Sequence, residues 1–411
     1  MEIKLCDRSQ CTGCMACKQK CRHSAIHTET IGEFDYPVID KDKCKECGLC
    51  MNACPVLNIS QRKGNCHENE NTVIAAWNKD TDVRMKSSSG GAFSVMAEKI
   101  LAEGGVIYGA AWDDKMTLIH KGVENREDLD ALRRSKYVQS DVRNTFNEVA
   151  QNLKDGRKVL YCGTPCQIAG LTAFLGKKDY DNLITVDVLC QGVPSPYLFK
   201  KYIKEIESET GWQVIDANFR TKEHGWRCGL LLLLLLLRNP VNSKTRYMKR
   251  VLNKNEFYNA FIKEYFMRPS CYDCQFKNNH QGYYGDITIA DFWRIGNKIP
   301  LNVKDYEKGI SAVVINTDKG RSFFSESSVD CETIERTWDE FAVNGGMRSS
   351  TKPSNTDEMY SFIRTHSWRE TQKLYFPLSI KAIITNSLSL ALGQKRIRKI
   401  KKIIKLFICN T

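Results

Sequence analysis

The chain has 411 residues, enough for two or three domains, each with a core of its own. Its apolar and charged fractions, 42% and 27%, exclude wholesale disorder, and the lack of any run of 18 or more apolar residues excludes a transmembrane helix on the length argument. The formal net charge of +13 is concentrated near the end, where Lys395 to Lys405 holds seven Lys or Arg and no acid.

In chain order, residues 1–57 come first and hold most of the chemistry. Of 18 cysteines, nine lie within the first 54 residues. Such density belongs to a disulfide scaffold, a metal site or a redox cofactor. A disulfide scaffold is small and secreted behind a signal peptide, whereas MEIKLCDRSQ has no apolar segment of that kind. The expected compartment is a reducing cytoplasm.

The cysteines form two blocks, Cys11-x2-Cys14-x2-Cys17-x3-Cys21 and Cys44-x2-Cys47-x2-Cys50-x3-Cys54-Pro55. Three closely spaced thiolates wrap one face of an iron–sulfur cube, while the fourth points away and ligates the other cube. This assigns Cys11, Cys14, Cys17 and Cys54 to one [4Fe–4S] cluster and Cys44, Cys47, Cys50 and Cys21 to a second. The first block departs from the pattern only at Arg22, where proline usually follows. Zinc motifs rarely repeat these steps twice, so zinc is the weaker reading. Cys6 and Cys66 fall outside both blocks and read as spare thiols. The block is therefore a small α+β domain of the bacterial ferredoxin type, built to pass single electrons.

Residues 58–72 are polar and aperiodic, as in a linker. From Val73 strand and helix signals alternate, and we divide the body at 73–150 and 151–325. VIAAWN reads as a strand. The Lys86-Ser87-Ser88-Ser89-Gly90-Gly91 loop opens a helix that ends on Gly104-Gly105, and VIYGAAW is the next strand. FNEVAQNLKDG is a helix and KVLYCG a short buried strand. TPCQIAGLTAFLG is a helix with Thr164 as N-cap and Pro165 at its first position. LITVDVLCQG is another strand, and PSPYLFKKYIKEIESETG another helix. The alternation predicts an α/β body with a mostly parallel or mixed sheet and flanking helices. The leucine run 230–237 reads as a strand buried on both faces, bordered by Gly229 and Asn239-Pro240. Beyond Ile310 the pattern weakens to helices and loops, giving a helical region over 326–411. Its last part, 395–408, has Ile397, Ile400 and Ile404 at helical spacing opposite Lys and Arg, a pattern suited to peripheral contact with the inner membrane surface. An acidic protein partner or a merely solvated helix fits equally. Nucleic acid does not, because the positive charge is confined to this tail.

Cysteines also stand at strand ends in the body: Cys162 and Cys166 in CGTPCQ, and Cys190 in LCQG, with a Cys271-x2-Cys274 pair beyond. Carboxyl ends of parallel strands line the ligand crevice. Any one of these could be a small core residue, and Cys228, Cys331 and Cys409 are read that way.

KSSSGGAFS, RRSKYVQS, GTPCQIAGL, VDVLCQGVPSP, RPSCYDCQF and GDITIADFW, in this order, resemble the coenzyme F420 hydrogenase/dehydrogenase beta-subunit family from about residue 75 to about 320. The resemblance implies an iron–sulfur flavoprotein oxidoreductase that binds FAD and exchanges electrons with a deazaflavin or another conjugated small-molecule acceptor. It also implies a third [4Fe–4S] cluster, with four of Cys162, Cys166, Cys190, Cys271 and Cys274 as ligands. For FAD, Lys86, Ser88, Ser89, Gly90 and Gly91 open a helix that can receive a pyrophosphate, and Gly163 and Thr164 open a second. Ser135, Lys136 and Tyr137 fall in the family's SKYVQS-like segment and could meet the ring. Asp286 and Asp291 flank a strand ending in Phe292-Trp293 and are candidates for a ribose, the aromatics for stacking; His224 is a candidate proton donor. No nucleophile–base pair stands out, so the catalytic residues stay open. A redox partner protein, a ferredoxin or another oxidoreductase subunit, is expected. The alternative is a non-catalytic iron–sulfur electron-transfer subunit of a larger complex.

Overall fold

The computed structural model describes residues 2–59, 72–176, 178–226, 232–251, 254–277, 284–301, 303, 305–384, 387–388 and 391–392. Most of the expected linker, Cys66, Cys228, Cys409 and the basic segment 395–408 lie outside these. Among the described residues no helix is long and apolar enough to cross a membrane.

The N-terminal domain is a hairpin carrying two cysteine loops. Strands β1 (Ile26–Ile31) and β2 (Phe34–Ile39) pair antiparallel along their full length. Gly32 turns the chain between them at φ +64°, a conformation glycine adopts without steric cost. Each cysteine block contains one short helical turn, Ala16–Lys20 and Leu49–Asn52.

In the body, β3 (Thr72–Asn78), β4 (Val106–Trp112), β5 (Leu118–Val123), β6 (Val159–Gly163) and β7 (Leu183–Val188) alternate with helices Ala92–Ala102, Thr145–Lys154, Pro165–Phe174 and Pro196–Thr210. The starts follow local chemistry. Thr164 and Gln167 close a reciprocal capping box, and the Ser195 hydroxyl accepts from the Leu198 amide. Gly211, at φ +68°, stops the helix that Ser195 opens.

Three strands leave the main sheet: β8 (Gln213–Asn218), β9 (Leu232–Arg238) and β10 (Thr245–Val251) form an antiparallel sheet with β9 in the middle. This corrects the reading of the leucine run. Leu233, Leu235 and Leu237 are fully buried in a core with Phe199, Phe219 and Phe257, while Leu234 and Leu236 are only half-buried. The strand has one inward face, and a run of identical residues cannot display the alternation that would have revealed it.

The chain returns with β11 (Ile287–Asp291), β12 (Ser311–Ile315) and β13 (Cys331–Arg336). The main sheet has the order β13-β3-β12-β11-β7-β6-β4-β5. Its centre, β11-β7-β6-β4, is parallel; the flanking pairs are antiparallel. The sheet is therefore mixed and continues past residue 325, where helices and loops were expected. CETIER escaped notice because β13 is an edge strand, mostly exposed and charged, as edges generally are. Both faces of the central strands are covered: Ile107, Leu160 and Ile184 meet Met96 and Ile100, whereas Val106, Tyr161 and Leu183 meet Phe146, Ile168 and Leu171.

The second of these cores includes Cys14, Ala16 and Ala53 of the N-terminal domain. That domain sits on helix Pro165–Phe174 at Gly170, where an added Cβ would lie 2.9 Å from Cys14 Cβ.

Leu235→Ala should cost about 2–5 kcal/mol in denaturant unfolding, as large-to-small changes at filled core sites do, and Leu236→Ala clearly less. Equal losses would contradict a one-faced β9.

Candidate functional site

The carboxyl ends of β6, β7 and β11 open on a cleft of about 510 Å³, within the about 300–1,000 Å³ of cofactor and small-molecule sites. Its lining combines aromatics (Tyr137, Tyr258, Phe261, Trp293), two helix starts and a few buried polar groups. One helix start is Ser88, Ser89 and Gly91 with Ala92 and Phe93; the other is Gly163 and Thr164. Lys136 and Tyr137 line it as well.

Not every candidate reaches the cleft. Lys86 is largely exposed, pairs with Asp130 at 3.7 Å and is not among the residues that line the cleft. Gly90 is committed elsewhere: its amide donates to the Ser311 hydroxyl, and it lies so close to β3 that an added Cβ would strike the Ala76 carbonyl. Asp286 lies at the opposite end of β11, accepting from the Thr185 amide and hydroxyl and from Thr317. His224 is outside the lining. Asp291 does line the cleft, but both its oxygens already hold Arg220, at 2.5 and 2.8 Å, and one also accepts from Trp226 Nε1. Phe292 is fully buried and Trp293 stacks on Trp226 at 4.9 Å.

His120 and Asn344 line the cleft without having carried a motif, and Arg220 packs against its lining residues Tyr137, Asp291 and Trp293. His120 lies in β5 with Nε2 3.1 Å from the Cys162 carbonyl, stacked on Tyr161. Burial pushes its imidazole down to about 4, so it is neutral, and its Nδ1 is buried without a partner. Asn344 Oδ1, also at the cleft, is likewise unpartnered. Arg220 bridges Asp291, the Tyr137 hydroxyl at 3.1 Å and the Ser88 carbonyl at 3.2 Å, with its guanidinium 4.7 Å from the Trp293 ring. Lys136 donates to the Arg133 and Arg134 carbonyls, and burial lowers its ammonium to about 7. The only available signal was a polar residue at an inward position of a strand, which the β5 alternation could have shown for His120.

The five body cysteines divide four to one. Burial holds Cys166 well above the usual thiol range, and Cys274, Cys190 and Cys271 all add to it. Cys190, at about 11, feels Cys274, and Cys271, at about 12, feels Cys190 and Cys274; burial is the main cause for each. Cys162, pushed up to about 12 by burial, has Asp187 and Lys136 as its charged neighbours instead.

The eight cysteines of the two N-terminal blocks lie in two groups. Burial raises Cys14 to about 12 and Cys17 further, and both feel Cys11 and Cys54. Cys21, Cys44, Cys47 and Cys50 line one small cavity. Cys6 is closer than its position outside the blocks suggested. It hydrogen-bonds Cys11 and Cys54, which is the main reason those two thiols fall to about 6 and about 7. All fifteen described cysteines are free. Among the described residues no three His, Cys, Asp or Glu side chains are arranged to hold a single metal ion, an arrangement that a cube gripped at its corners does not require.

The two groups of thiols meet. Cys54 shares an apolar cluster with Val56, Ala169 and Phe276 against which Cys6, Cys166 and Cys274 pack, and Cys190 reaches the cleft.

Residues 156–337 match the family described as the C terminus of the coenzyme F420 hydrogenase/dehydrogenase beta subunit. Residues 10–58 match one 4Fe-4S dicluster domain model and residues 36–93 another. Pyruvate synthase subunit PorD of Methanocaldococcus jannaschii is 40% identical over 55 residues, 13% of this chain and 60% of that protein. A chain of the F420-reducing [NiFe] hydrogenase complex from Methanosarcina barkeri superposes with a TM-score of 0.41 and 18% identity, covering 74% of this chain and 90% of that one. The chain thus carries an N-terminal 4Fe-4S dicluster domain, and residues 156–337 of its body match the coenzyme F420 hydrogenase/dehydrogenase beta-subunit family.

Proposed function

We propose that the chain is an oxidoreductase holding two [4Fe–4S] clusters on the eight N-terminal cysteines, a third on Cys166, Cys190, Cys271 and Cys274, and FAD in the cleft. It would pass electrons between a redox partner protein and a deazaflavin or another conjugated acceptor. The observation that carries this reading is the position of the body thiols, which pack against the Cys54 side of the dicluster domain through Cys166 and Cys274 and reach the cleft through Cys190. FAD, when bound, supplies the conversion between single electrons and a two-electron or hydride step.

The residues suit such a ligand. The start of helix Ala92–Ala102 brings Gly91, Ala92 and Phe93 to the cleft, where its dipole favours a pyrophosphate. Tyr137, Tyr258 and Phe261 offer apolar ring faces, and the unpartnered His120 Nδ1 and Asn344 Oδ1 lack the hydrogen bonds that a polar ligand edge could provide. Arg220 donates to the Tyr137 hydroxyl and arrives with its charge already balanced by Asp291, so this pair adds little net charge. A partner protein is supported by the family's description as a beta subunit and by the relative named as a subunit of pyruvate synthase.

Isolated anaerobically, the protein should carry about 12 irons and one FAD per chain. Cys166→Ser and Cys271→Ser should each remove about four irons, whereas Cys162→Ser should remove none. Unchanged iron in the first two variants would refute the third cluster. Full iron without flavin would leave an electron-transfer subunit.

His120 gives a second test. A base whose folded pKa is depressed destabilises the fold as pH falls from the unfolded value, near 6.5, toward the folded one, about 4. Wild type should therefore lose up to about 3 kcal/mol more than His120→Gln between pH 7 and pH 4, read from anaerobic denaturant unfolding. Identical pH profiles would show that His120 is not held neutral by the fold.

A further inference from the structure

Arg268 is almost fully buried, yet it lies outside the cleft. Its backbone amide donates to the Val193 carbonyl, placing it beside the loop after β7. Its guanidinium crosses into the dicluster domain. Nε donates to the Cys11 carbonyl at 2.6 Å, Nη2 to the Asp35 carbonyl at 3.0 Å, and Nη2 also lies 3.8 Å from Cys11 Sγ. Nη1 donates to Gln139 Oε1 at 2.9 Å, and the Gln139 amide in turn donates to the Thr12 carbonyl. Tyr36 and Phe34 present their rings at 4.4 and 5.4 Å. Three residues on, the Cys271 amide donates to the Arg268 carbonyl at 2.8 Å. One residue thus touches Cys11 of the first cluster's set with its side chain and the backbone amide of Cys271, a cysteine of the body set, with its own backbone.

We infer that Arg268 is a positioning residue that raises the midpoint potential of the cluster held by Cys11, Cys14, Cys17 and Cys54, making that cluster the resting place of an electron at the junction with the body. The inference rests on the two-cluster reading of the first domain. Reduction adds one negative charge to the cluster and breaks no bond, so a fixed cation and N–H donors at a ligand sulfur favour the reduced state. Burial leaves that effect unscreened. The other ligand set has no equivalent among the described residues. The basic side chains lining its cavity, His23 and Lys45, are exposed to solvent, which screens whatever charge they carry.

The test is an EPR-monitored redox titration of the intact, cluster-loaded protein. In Arg268→Gln one of the two ferredoxin-domain midpoints should fall by the equivalent of at least a tenfold loss of electron affinity, about 59 mV for one electron, while the other stays in place. Arg268→Lys keeps the charge but cannot reach the Cys11 carbonyl and sulfur together, so its midpoint should fall by a smaller amount. Unmoved midpoints with full iron overturn the inference, and so does an equal fall of both. If Arg268→Gln does not hold iron, Arg268→Lys decides, and an unmoved midpoint there overturns it. Wild-type protein with fewer than eight irons and without two ferredoxin-type signals would instead overturn the two-cluster reading.

Discussion

The contact between Cys14 and Gly170 is the constraint on which the arrangement depends. The dicluster domain approaches the body this closely where helix Pro165–Phe174 has no side chain; an added Cβ would lie 2.9 Å from Cβ and 3.0 Å from Sγ of Cys14, forcing the two apart. The same helix begins with Cys166 in its first turn, fixed there by the Thr164–Gln167 box and Pro165. One bare position therefore brings Cys14 onto the very helix that carries a thiol of the body set. The rest of the interface, Arg268 between Phe34 and Tyr36 and the Val56–Ala169–Phe276 cluster, extends this approach on either side.

Much of this was legible in the sequence, and the pattern of success is physical. Thiol spacing is set by the geometry of a cube, so eight candidate ligands could be sorted into two sets without knowing the fold. The four body helices and the strands before them announced themselves through caps, glycine stops and short apolar runs, because those signals are local. What escaped was non-local. Which of five body cysteines stands apart depends on where strand β6 ends relative to β7 and the 269–274 turn, and no spacing rule encodes that. Lys86 looked suitable beside a serine–glycine loop, but Asp130, from a different helix, holds it. Cys6 looked spare because it lies outside the blocks, although folding brings it between Cys11 and Cys54.

The buried charges follow one rule. Arg220 and Arg268 are both nearly inaccessible, and isolated burial of a guanidinium would cost several kcal/mol. Arg220 is balanced by a bidentate carboxylate; Arg268 is met by carbonyls, an amide oxygen and two aromatic rings. Lys222 shows the second solution again, capped by the carbonyls of Arg84, Ser89 and Lys308, and burial lowers it to about 7. A cation compensated by a carboxylate adds little field to its surroundings, whereas one met only by dipoles keeps its field. The first kind is therefore suited to shaping a cleft wall, and the second to acting on a charged neighbour.

The surroundings of the thiols change from one end of the molecule to the other. In the second ligand set Cys47 is exposed, Cys21 and Cys44 are half-buried and Cys50 is buried; Cys11, Cys14, Cys17 and Cys54 are all buried; and the body thiols are half-buried, with Cys190 on the wall of an aromatic-lined cleft. A metal-free chain must keep most of the inner thiols protonated, because burial disfavours the thiolate, and loading them with iron releases those protons. An outer edge open to solvent admits a protein partner to within electron-transfer reach. An inner end walled by apolar rings excludes water, once a ligand fills it, from the place where an electron pair would be assembled. On the proposed reading, this difference in surroundings separates the protein-facing end of the molecule from the end that faces a small acceptor, and Arg268 stands at the step between them.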